Sequence, residues 1–337
     1  MTSAAQTKKS ITVNARTGVA SKIICIGLLV AAFSNLSIAA LFAQTKSANI
    51  APVAITLEFF KDISVGRLIL LKSKWNANKD QASGRPLAAA RGTVKVLANQ
   101  PIMLIANDSI GQKMAFLSSL PSDALACLIL NDTSISSGDL ARVSHLNGLR
   151  RLELFGTDID DTGVQHLSKL SNLSVLYLGS SLVKGNTLDQ LTAVHLHNLQ
   201  LDNLILSPKA FRAIAKFKEL RWLSVARAHA NNAELAEIAH MPMLEELMLG
   251  ENIDISDLGI KRLVGLKRLS RLNVSNTSVT PDGLIALKGL DLKVLKISSR
   301  YKNDQVKLKL HQAFPRARLE FDNDRPRIPL EMFAPLH

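Results

Sequence analysis

The apolar residues follow one recurring frame, Leu-x-x-Leu-x-Leu, from residue 125 almost to the end of the chain. The copy at 149–154 ends in two leucines that lie two residues apart, which predicts a strand that turns both side chains inward. Val164, Leu167 and Leu170 then recur every three residues, which predicts a short α- or 3₁₀-helical segment with one buried stripe. Each unit therefore predicts a strand, a turn and a short helical segment.

The frame recurs about every 24 residues. It starts at Leu125, Leu149, Leu173, Leu201, Leu220, Leu244, Leu269 and Leu292, with a ninth, degenerate copy at 317–321. Successive starts differ by 24, 24, 28, 19, 24, 25 and 23 residues, so we expect an insertion at 184–198 and a short repeat at 201–219. Units of roughly 20–29 residues with this pattern predict a leucine-rich repeat solenoid of the α/β class.

Polar residues mark the turns of the predicted units. Asp160, Ser256 and Thr280 precede predicted helices and have the composition of N-caps. A further set stands nine residues into the frame and is expected to bond backbone groups where the strand ends: Thr133, Thr157, Ser181, Asn252 and Thr277. These positions predict structural roles.

The N-terminal segment has the pattern of an export signal. Residues 1–22 are polar and basic, and residues 23–43 are predominantly apolar. Ser37-Ile38-Ala39 fits a cleavage site near Ala39, which favours a removed signal peptide. The apolar segment is also long enough to span a bilayer, which favours a retained transmembrane anchor. In either case the basic flank predicts that the repeats lie on the non-cytoplasmic side of the membrane, secreted, periplasmic or anchored.

Residues 44–54 are predicted to be a linker, and 55–124 a small β-rich module with a helical lead-in to the repeats. Its predicted strands are Ile55–Phe59, Val65–Leu71, Thr93–Leu97 and Ile102–Ile105, with a loop at 72–91. A solenoid needs a cover over its open end, so we expect this module to cap the first repeat. The alternative is a separate ligand-binding module. The repeats are predicted to end at 321, followed by a tail at 322–337.

Charge and cysteine content exclude two classes of protein. The net charge is +13, but residues 125–291 hold 17 Lys and Arg against 18 Asp and Glu. A nucleic-acid-binding groove requires basic residues along the repeats, so no nucleic acid is expected as a partner. The two cysteines, Cys25 and Cys127, lie far apart in the sequence and predict no disulfide framework.

The extended pattern is similar to that of a known family. The run Leu-x-x-Leu-x-Leu-x-x-Thr-x-Ile-x-Asp-x-Gly-Leu-x-x-Leu-x-x-Leu is almost complete at 149–170, 244–266 and 269–290. It resembles the bacterial leucine-rich repeat proteins and, in repeat type, the F-box-associated ones, although no F-box precedes residue 125. The resemblance covers about residues 125–321. It implies a right-handed solenoid with a parallel sheet on its concave face, and protein–protein binding.

The candidate binding site consists of residues between the inward leucines, which are expected to face the concave side. Most of its members are apolar and are expected to form one patch, since adjacent strands lie about 4.8 Å apart. The predicted site residues are Glu153, Phe155, Val175, Tyr177, Ile205, Trp222, Met248 and Arg271. Tyr and Trp are enriched at interaction hot spots, so a protein partner is expected.

The catalytic alternatives are weaker. Glu153 and Glu246 are expected four strands apart, about 19 Å by strand spacing, which is too far for a glycosidase pair. His195-x-His197 has no carboxylate or cysteine ligand nearby in the sequence, so neither a metal nor a cofactor is expected. The sequence therefore predicts a non-enzymatic protein-binding scaffold. The alternatives are an accessory scaffold that contacts an enzyme partner through 55–105, and a surface glycan-binding protein.

Overall fold

The computed structural model describes residues 54–72, 84–98 and 100–322, which belong to one compact unit. Fourteen strands form two sheets within these residues. The strands are β1 (Ala54–Glu58), β2 (Gly66–Leu71), β3 (Gly84–Ala89), β4 (Thr93–Leu97), β5 (Ile102–Ala106), β6 (Cys127–Ile129), β7 (Arg151–Glu153), β8 (Val175–Tyr177), β9 (Asn198–Gln200), β10 (Trp222–Ser224), β11 (Glu246–Met248), β12 (Arg271–Asn273), β13 (Val294–Ile297) and β14 (Arg318–Phe321).

Short helical segments connect the strands. The α-helices are α1 (Asp161–Val164), α2 (Pro208–Ile214), α3 (Asn232–Ile238), α4 (Asp257–Ile260), α5 (Pro281–Leu284) and α6 (Asp304–Ala313). The 3₁₀ segments are Asp108–Ser119, Ser137–Arg142, Gln165–Lys169, Leu188–Leu191, Lys261–Gly265, Ile285–Leu287 and Ser299–Tyr301.

The larger sheet has twelve strands, and β5 to β14 lie in it in chain order and parallel to one another. Every strand from β6 onward follows the preceding one by a crossover through a turn and a helical segment, which is the connection that parallel strands require. The predicted α/β repeat solenoid is therefore the observed fold. The parallel sheet begins at β5, one strand before the first predicted repeat.

A ladder of leucines forms the core. One leucine from the middle of each parallel strand pairs with its counterparts on the neighbouring strands: Leu104, Leu128, Leu152, Leu176, Leu199, Leu223, Leu247, Leu272, Leu295 and Leu319. All but the last are buried. Burial of each is worth about 1.5–3 kcal/mol relative to exposure, so the ladder fixes which face of every strand points inward.

The predicted frame of the fourth repeat is wrong. Strand β9 aligns Leu199 with Leu176 and Leu223, so the repeat starts at Leu196 and not at Leu201. Successive starts then differ by 24, 24, 23, 24, 24, 25 and 23 residues, with neither an insertion nor a short repeat. Both frames fit the leucine pattern, because 196–201 and 201–206 read Leu-x-x-Leu-x-Leu alike. Register with the neighbouring strands decides between them.

The backbone supports the corrected frame. Ser180, Asn203 and Arg227 occupy the same position in the turn after their strands and have φ of 53°, 55° and 50°. This left-handed conformation is uncommon for residues other than glycine. Its recurrence at the corrected spacing indicates that all coils leave the sheet through the same turn.

The segment before the repeats continues the same sheet. Strands β2 and β3 extend it beyond β5 by antiparallel pairing, while β1 and β4 form a separate two-stranded sheet. The four predicted strands are observed with bounds that differ by a residue or so. Strand β3 is an addition, since 72–91 was expected to be a loop. Its Gly-Arg-Pro-Leu-Ala-Ala sequence has low strand propensity, and Pro86 is tolerated because β3 is the edge strand.

The predicted polar turn positions are largely observed. Asp160 and Thr280 accept bonds from the first amides of α1 and α5, whereas Ser256 makes no cap bond and instead accepts one from Asn232 Nδ2 at 2.9 Å. Asn252 is the most connected of the turn residues. It accepts bonds from two backbone amides and donates to the carbonyls of Val225 and Leu249.

The predicted signal or anchor segment at 23–43 lies outside the described residues. Among the helices of 54–72, 84–98 and 100–322, none combines the length and the apolar character that a bilayer-spanning helix needs.

Candidate functional site

The candidate site lies on the outer sheet face, which we define by the strand residues that flank the leucine ladder and point away from it. One column contains the residue directly before the ladder leucine of each parallel strand: Met103, Cys127, Arg151, Val175, Asn198, Trp222, Glu246, Arg271, Val294 and Arg318. The other contains the residue directly after it: Ile105, Ile129, Glu153, Tyr177, Gln200, Ser224, Met248, Asn273, Lys296 and Glu320.

Exposure of the first column increases from β9 to β12. The first column is buried from β5 to β9, half-buried at β10 and β11, and exposed at Arg271. Three predicted site residues lie in the buried part: Val175 is 0% exposed, Tyr177 8% and Glu153 8%. The expectation that these three side chains are accessible is wrong. Alternation along a strand determines the direction of a side chain but not what packs over it.

Ile205 does not lie on the outer sheet face. The corrected frame places it in the loop between β9 and α2, where it is 71% exposed, and Gln200 takes its expected place on the sheet. Phe155 follows the end of β7, and its half-buried ring packs against the next coil at Gly179. A Cβ on Gly179 would lie 3.0 Å from Phe155 Cδ2, so the small residue makes room for the ring. The single apolar patch of the sequence analysis is therefore not formed as expected.

A polar network occupies the buried part of the face. Arg151 Nε lies 2.5 Å from Glu153 Oε1, and Asn131 Nδ2 donates to Glu153 Oε2 at 2.8 Å. Asn131 Oδ1 in turn accepts a bond from the Phe155 amide at 3.0 Å. Burial by itself lowers the pKa of Arg151, but the Glu153 carboxylate and Tyr177 outweigh it and raise that pKa. Glu153 is thus half of a buried ion pair, unlike the solvent-facing acid that the sequence suggested.

Arg151 also supports an aromatic stack. Its guanidinium carbon lies 4.7 Å from the centre of the Tyr177 ring, within cation–π range. The Tyr177 ring centre lies 5.7 Å from that of Trp222, with the planes inclined at 39°. Trp222 is half-buried and is the outermost member of this series. Arg151 was not among the predicted site residues. The sequence nevertheless places this arginine and Tyr177 on adjacent strands of one face, which could have indicated their contact.

Beyond Trp222 the face is open. We call this part the C-terminal platform; it comprises Trp222, Glu246, Met248, Arg271, Asn273, Val294 and Lys296. All seven are half-buried or exposed. Arg271 Nε lies 3.5 Å from Glu246 Oε1, so these two charges largely offset each other. Of the predicted site residues, the structure brings together Trp222, Met248 and Arg271 on this surface.

Cys127 lacks the surroundings of a nucleophile. It is completely buried on the outer sheet face, and burial raises the pKa of its thiol far above the usual range, against the smaller opposing effect of Arg151. A neutral, inaccessible thiol is unreactive.

The structure does bring a carboxylate to the two histidines, although the sequence showed none nearby. His195 Nδ1 lies 2.9 Å from Glu219 Oε1, and His197 Nε2 lies 3.6 Å from Glu219 Oε2. Ser174 Oγ is 2.6 Å from His197 Nδ1. Burial, then Arg221 and His195, lower the pKa of His197 against the opposing effect of Glu219. Within the described part of the chain, no three His, Cys, Asp or Glu side chains, these included, are arranged so that they could hold a metal ion.

Comparison with known proteins yields structural likeness only. No protein-family model matches the chain, and neither does any curated protein. The chain is similar to an internalin C2 from Listeria monocytogenes, with 20% identity over 67% of this chain and 90% of that one, at a TM-score of 0.43. It is also similar to an internalin, inlF, from the same organism, with 19% identity over 68% and 84% and a TM-score of 0.37. Both scores lie below 0.5, so the solenoid assignment rests on the parallel sheet and leucine ladder of this chain itself.

Proposed function

We propose that this chain is a non-enzymatic scaffold that binds a partner protein on the C-terminal platform, outside the cytoplasm. The observation that carries the proposal is that the side chain of Trp222 is held in place by packing against its neighbours. Its ring rests against Tyr177, which is itself buried beside Arg151. An aromatic side chain held in place before binding loses little conformational freedom when a partner contacts it. Such residues dominate the energetics of protein interfaces.

The composition of the platform supports a protein partner over a small molecule. It combines the apolar side chains of Trp222 and Met248, which lie diagonally on adjacent strands, and of Val294 with polar groups between them, among them the Glu246–Arg271 ion pair. Protein–protein interfaces combine aromatic, Met and Arg side chains with hydrogen-bonding polar groups in this way. Lys296, at the far end, adds a cation that a carboxylate of the partner would offset.

Two further parts of the proposal come from the N-terminal half. The basic residues 1–22 and the apolar segment 23–43 support export, either as a cleaved signal or as an anchor. The position of β2 and β3 at the end of the long sheet supports a capping role for 55–124, because these strands cover the edge of the first coil.

The experiment uses the full chain with a photo-activatable amino acid in place of Met248, irradiated in its own cell. A second form carries the same group in place of Leu182, an exposed apolar residue on the flank. We expect one protein to be cross-linked through position 248 and not through 182.

The affinity of the cross-linked partner protein for the Trp222→Ala variant is then compared with its affinity for the Ile205→Ala variant. Loss of a hot-spot residue costs about 2 kcal/mol or more, roughly a thirtyfold rise in Kd, whereas Ile205→Ala should leave Kd unchanged. Equal affinities of the two variants, with both folded, would show that the platform is not the binding surface.

A further inference from the structure

The charged residues of the repeats are segregated between the two edges of the solenoid. We call the exit edge the segments that run from each of the strands β6 to β12 up to, or into, the first turn of the following helical segment, namely 130–139, 154–161, 178–187, 201–210, 225–234, 249–258 and 274–283. The entry edge runs from there to the next strand: 140–150, 162–174, 188–197, 211–221, 235–245, 259–270 and 284–293. The exit edge holds 11 Asp and Glu against 3 Lys and Arg, and the entry edge holds 5 against 13. The near-zero charge of the repeats conceals this separation.

Twelve of the thirteen cations of the entry edge are solvent-exposed, and Arg221 is half-buried. They include Lys169, Lys216, Lys218, Lys261, Arg262, Lys267, Arg268, Lys288 and Lys293. None of these nine forms an ion pair with another residue in the described part of the chain, whereas Arg142 and Arg221 of the same edge pair with Asp139 and Glu245. The nine carry net positive charge that the protein itself does not offset.

Helix polarity accounts for only part of the arrangement. Acidic residues are favoured at helix N-termini, and Asp160 on the exit edge binds the first amides of α1 in this way. Arg268 and Lys293 lie beyond the helical segments that precede them, which end at Gly265 and Leu287. Lys218 and Lys267 donate to the carbonyls of Ala215 and Val264 at the ends of such segments, whereas neither Arg268 nor Lys293 makes a bond of this kind in the described part of the chain. The positive edge therefore extends further than capping requires.

We propose that the entry edge docks on an anionic lipid surface. The cations lie in five of the seven entry segments, with four each in 211–221 and 259–270 and none in 188–197 or 235–245, so they form positive patches that extend both along and across the edge. Phosphate headgroups present anions in the same way. A single-stranded nucleic acid is bound largely by stacking on aromatic rings, and the described residues of this edge expose no phenylalanine, tyrosine or tryptophan. Val264, 45% exposed between Arg262 and Lys267, would be the apolar contact.

This inference is independent of the C-terminal platform, which lies on the sheet between the two edges. Docking through the entry edge would leave the outer sheet face free for a partner. The attraction is expected at short range only, because salt screens charges over about 8 Å at physiological ionic strength.

The test places an environment-sensitive fluorophore on the full chain bound to vesicles. Val264→Cys carries the probe on the entry edge, and Ile253→Cys, 71% exposed on the exit edge, is the control. Cys25→Ser leaves the introduced cysteine as the labelling site, because Cys127 is buried and does not react with the label. Because both labelled forms contain segment 23–43, any insertion of that segment affects them equally. We expect a blue shift at 264 with phosphatidylserine vesicles, little with phosphatidylcholine, and none at 253.

Charge reversal supplies the second arm. Lys261→Glu, Arg262→Glu and Lys267→Glu together should abolish the shift, since each cation near a surface contributes about a fivefold factor in affinity. Lys184→Glu, Lys209→Glu and Arg227→Glu, the three cations of the exit edge, change the total charge equally and should leave the shift intact. Equal shifts at both probe positions, equal shifts on both lipids, or loss of the shift in the control triple variant would each overturn the proposal. So would binding of the entry edge to an acidic polymer without any shift on vesicles.

Discussion

Leu199 and Ile205 provide the sharpest test of how the fourth coil is built. The two side chains are isomers, so substitution by alanine deletes the same number of carbon atoms from each. Leu199 is 0% exposed in the leucine ladder, and Ile205 is 71% exposed in the following loop. The sequence frame that starts at Leu201 assigns Ile205 to the sheet and leaves Leu199 outside the repeat.

The expected magnitudes differ widely. Leu199→Ala removes a completely buried side chain between Leu176 and Leu223 and should lower the free energy of unfolding by about 3 kcal/mol, including the cost of the cavity. For a chain of this size that corresponds to a fall in Tm on the order of 10 °C. Ile205→Ala deletes atoms that already contact water and should stay within about 0.5 kcal/mol.

Thermal and urea unfolding followed by circular dichroism measure both effects. Hydrogen exchange adds a local readout, because the stability of a solenoid depends on contacts between neighbouring coils. The amides of β8 to β10 should lose protection in Leu199→Ala, while those of β13 and β14 keep it. If Ile205→Ala destabilises the protein as much as Leu199→Ala does, the coil is built on the frame at Leu201, and Leu199 does not pair with Leu176 and Leu223.

Three other substitutions test the polar parts of the fold. Asn252→Ala should lower the free energy of unfolding, measured in urea, by roughly 3 kcal/mol, and Thr157→Val should lower it by about 1 kcal/mol. The reason is that Asn252 bonds four buried backbone groups and Thr157 only one. Similar losses for the two variants would contradict this. Glu153→Ala should cost about 3–5 kcal/mol, because it removes the carboxylate beside a buried guanidinium, and the apolar pair Arg151→Met with Glu153→Leu should recover most of that stability. The lowered pKa of His197 means that the unfolded chain binds this proton more readily than the folded one. Stability should therefore be constant above about pH 6.5 and fall as the pH decreases below it; His197→Gln should flatten that profile, and an unchanged profile would assign the pH dependence to other groups.

Much of the fold could be predicted from the sequence, because the same leucine pattern occurs in each successive unit and each copy predicts the same strand, turn and helical segment. The leucine frame predicted the strands of the repeats, the ladder of leucines that points inward, and the helical segments between the strands. Asp160, Thr280 and Asn252 were predicted to bond backbone groups at the turns and do so. These features depend on residues within one coil or on the next coil in register, so local pattern suffices to find them.

The site was less predictable, because accessibility depends on packing between coils. Trp222, Met248 and Arg271 lie on the open part of the sheet as expected, but Val175 and Tyr177 point outward and are nevertheless buried. The frame of the fourth coil was ambiguous in sequence, since leucines five residues apart fit both readings, and only pairing of β9 with β8 and β10 selects Leu196. Similarly, the approach of Glu219 to His195 and the segregation of charge between the two edges require neighbouring coils to be stacked. The leucine pattern alone specifies the repeat and the inward face of each strand, whereas the stacking of the coils controls which outward side chains remain in contact with water.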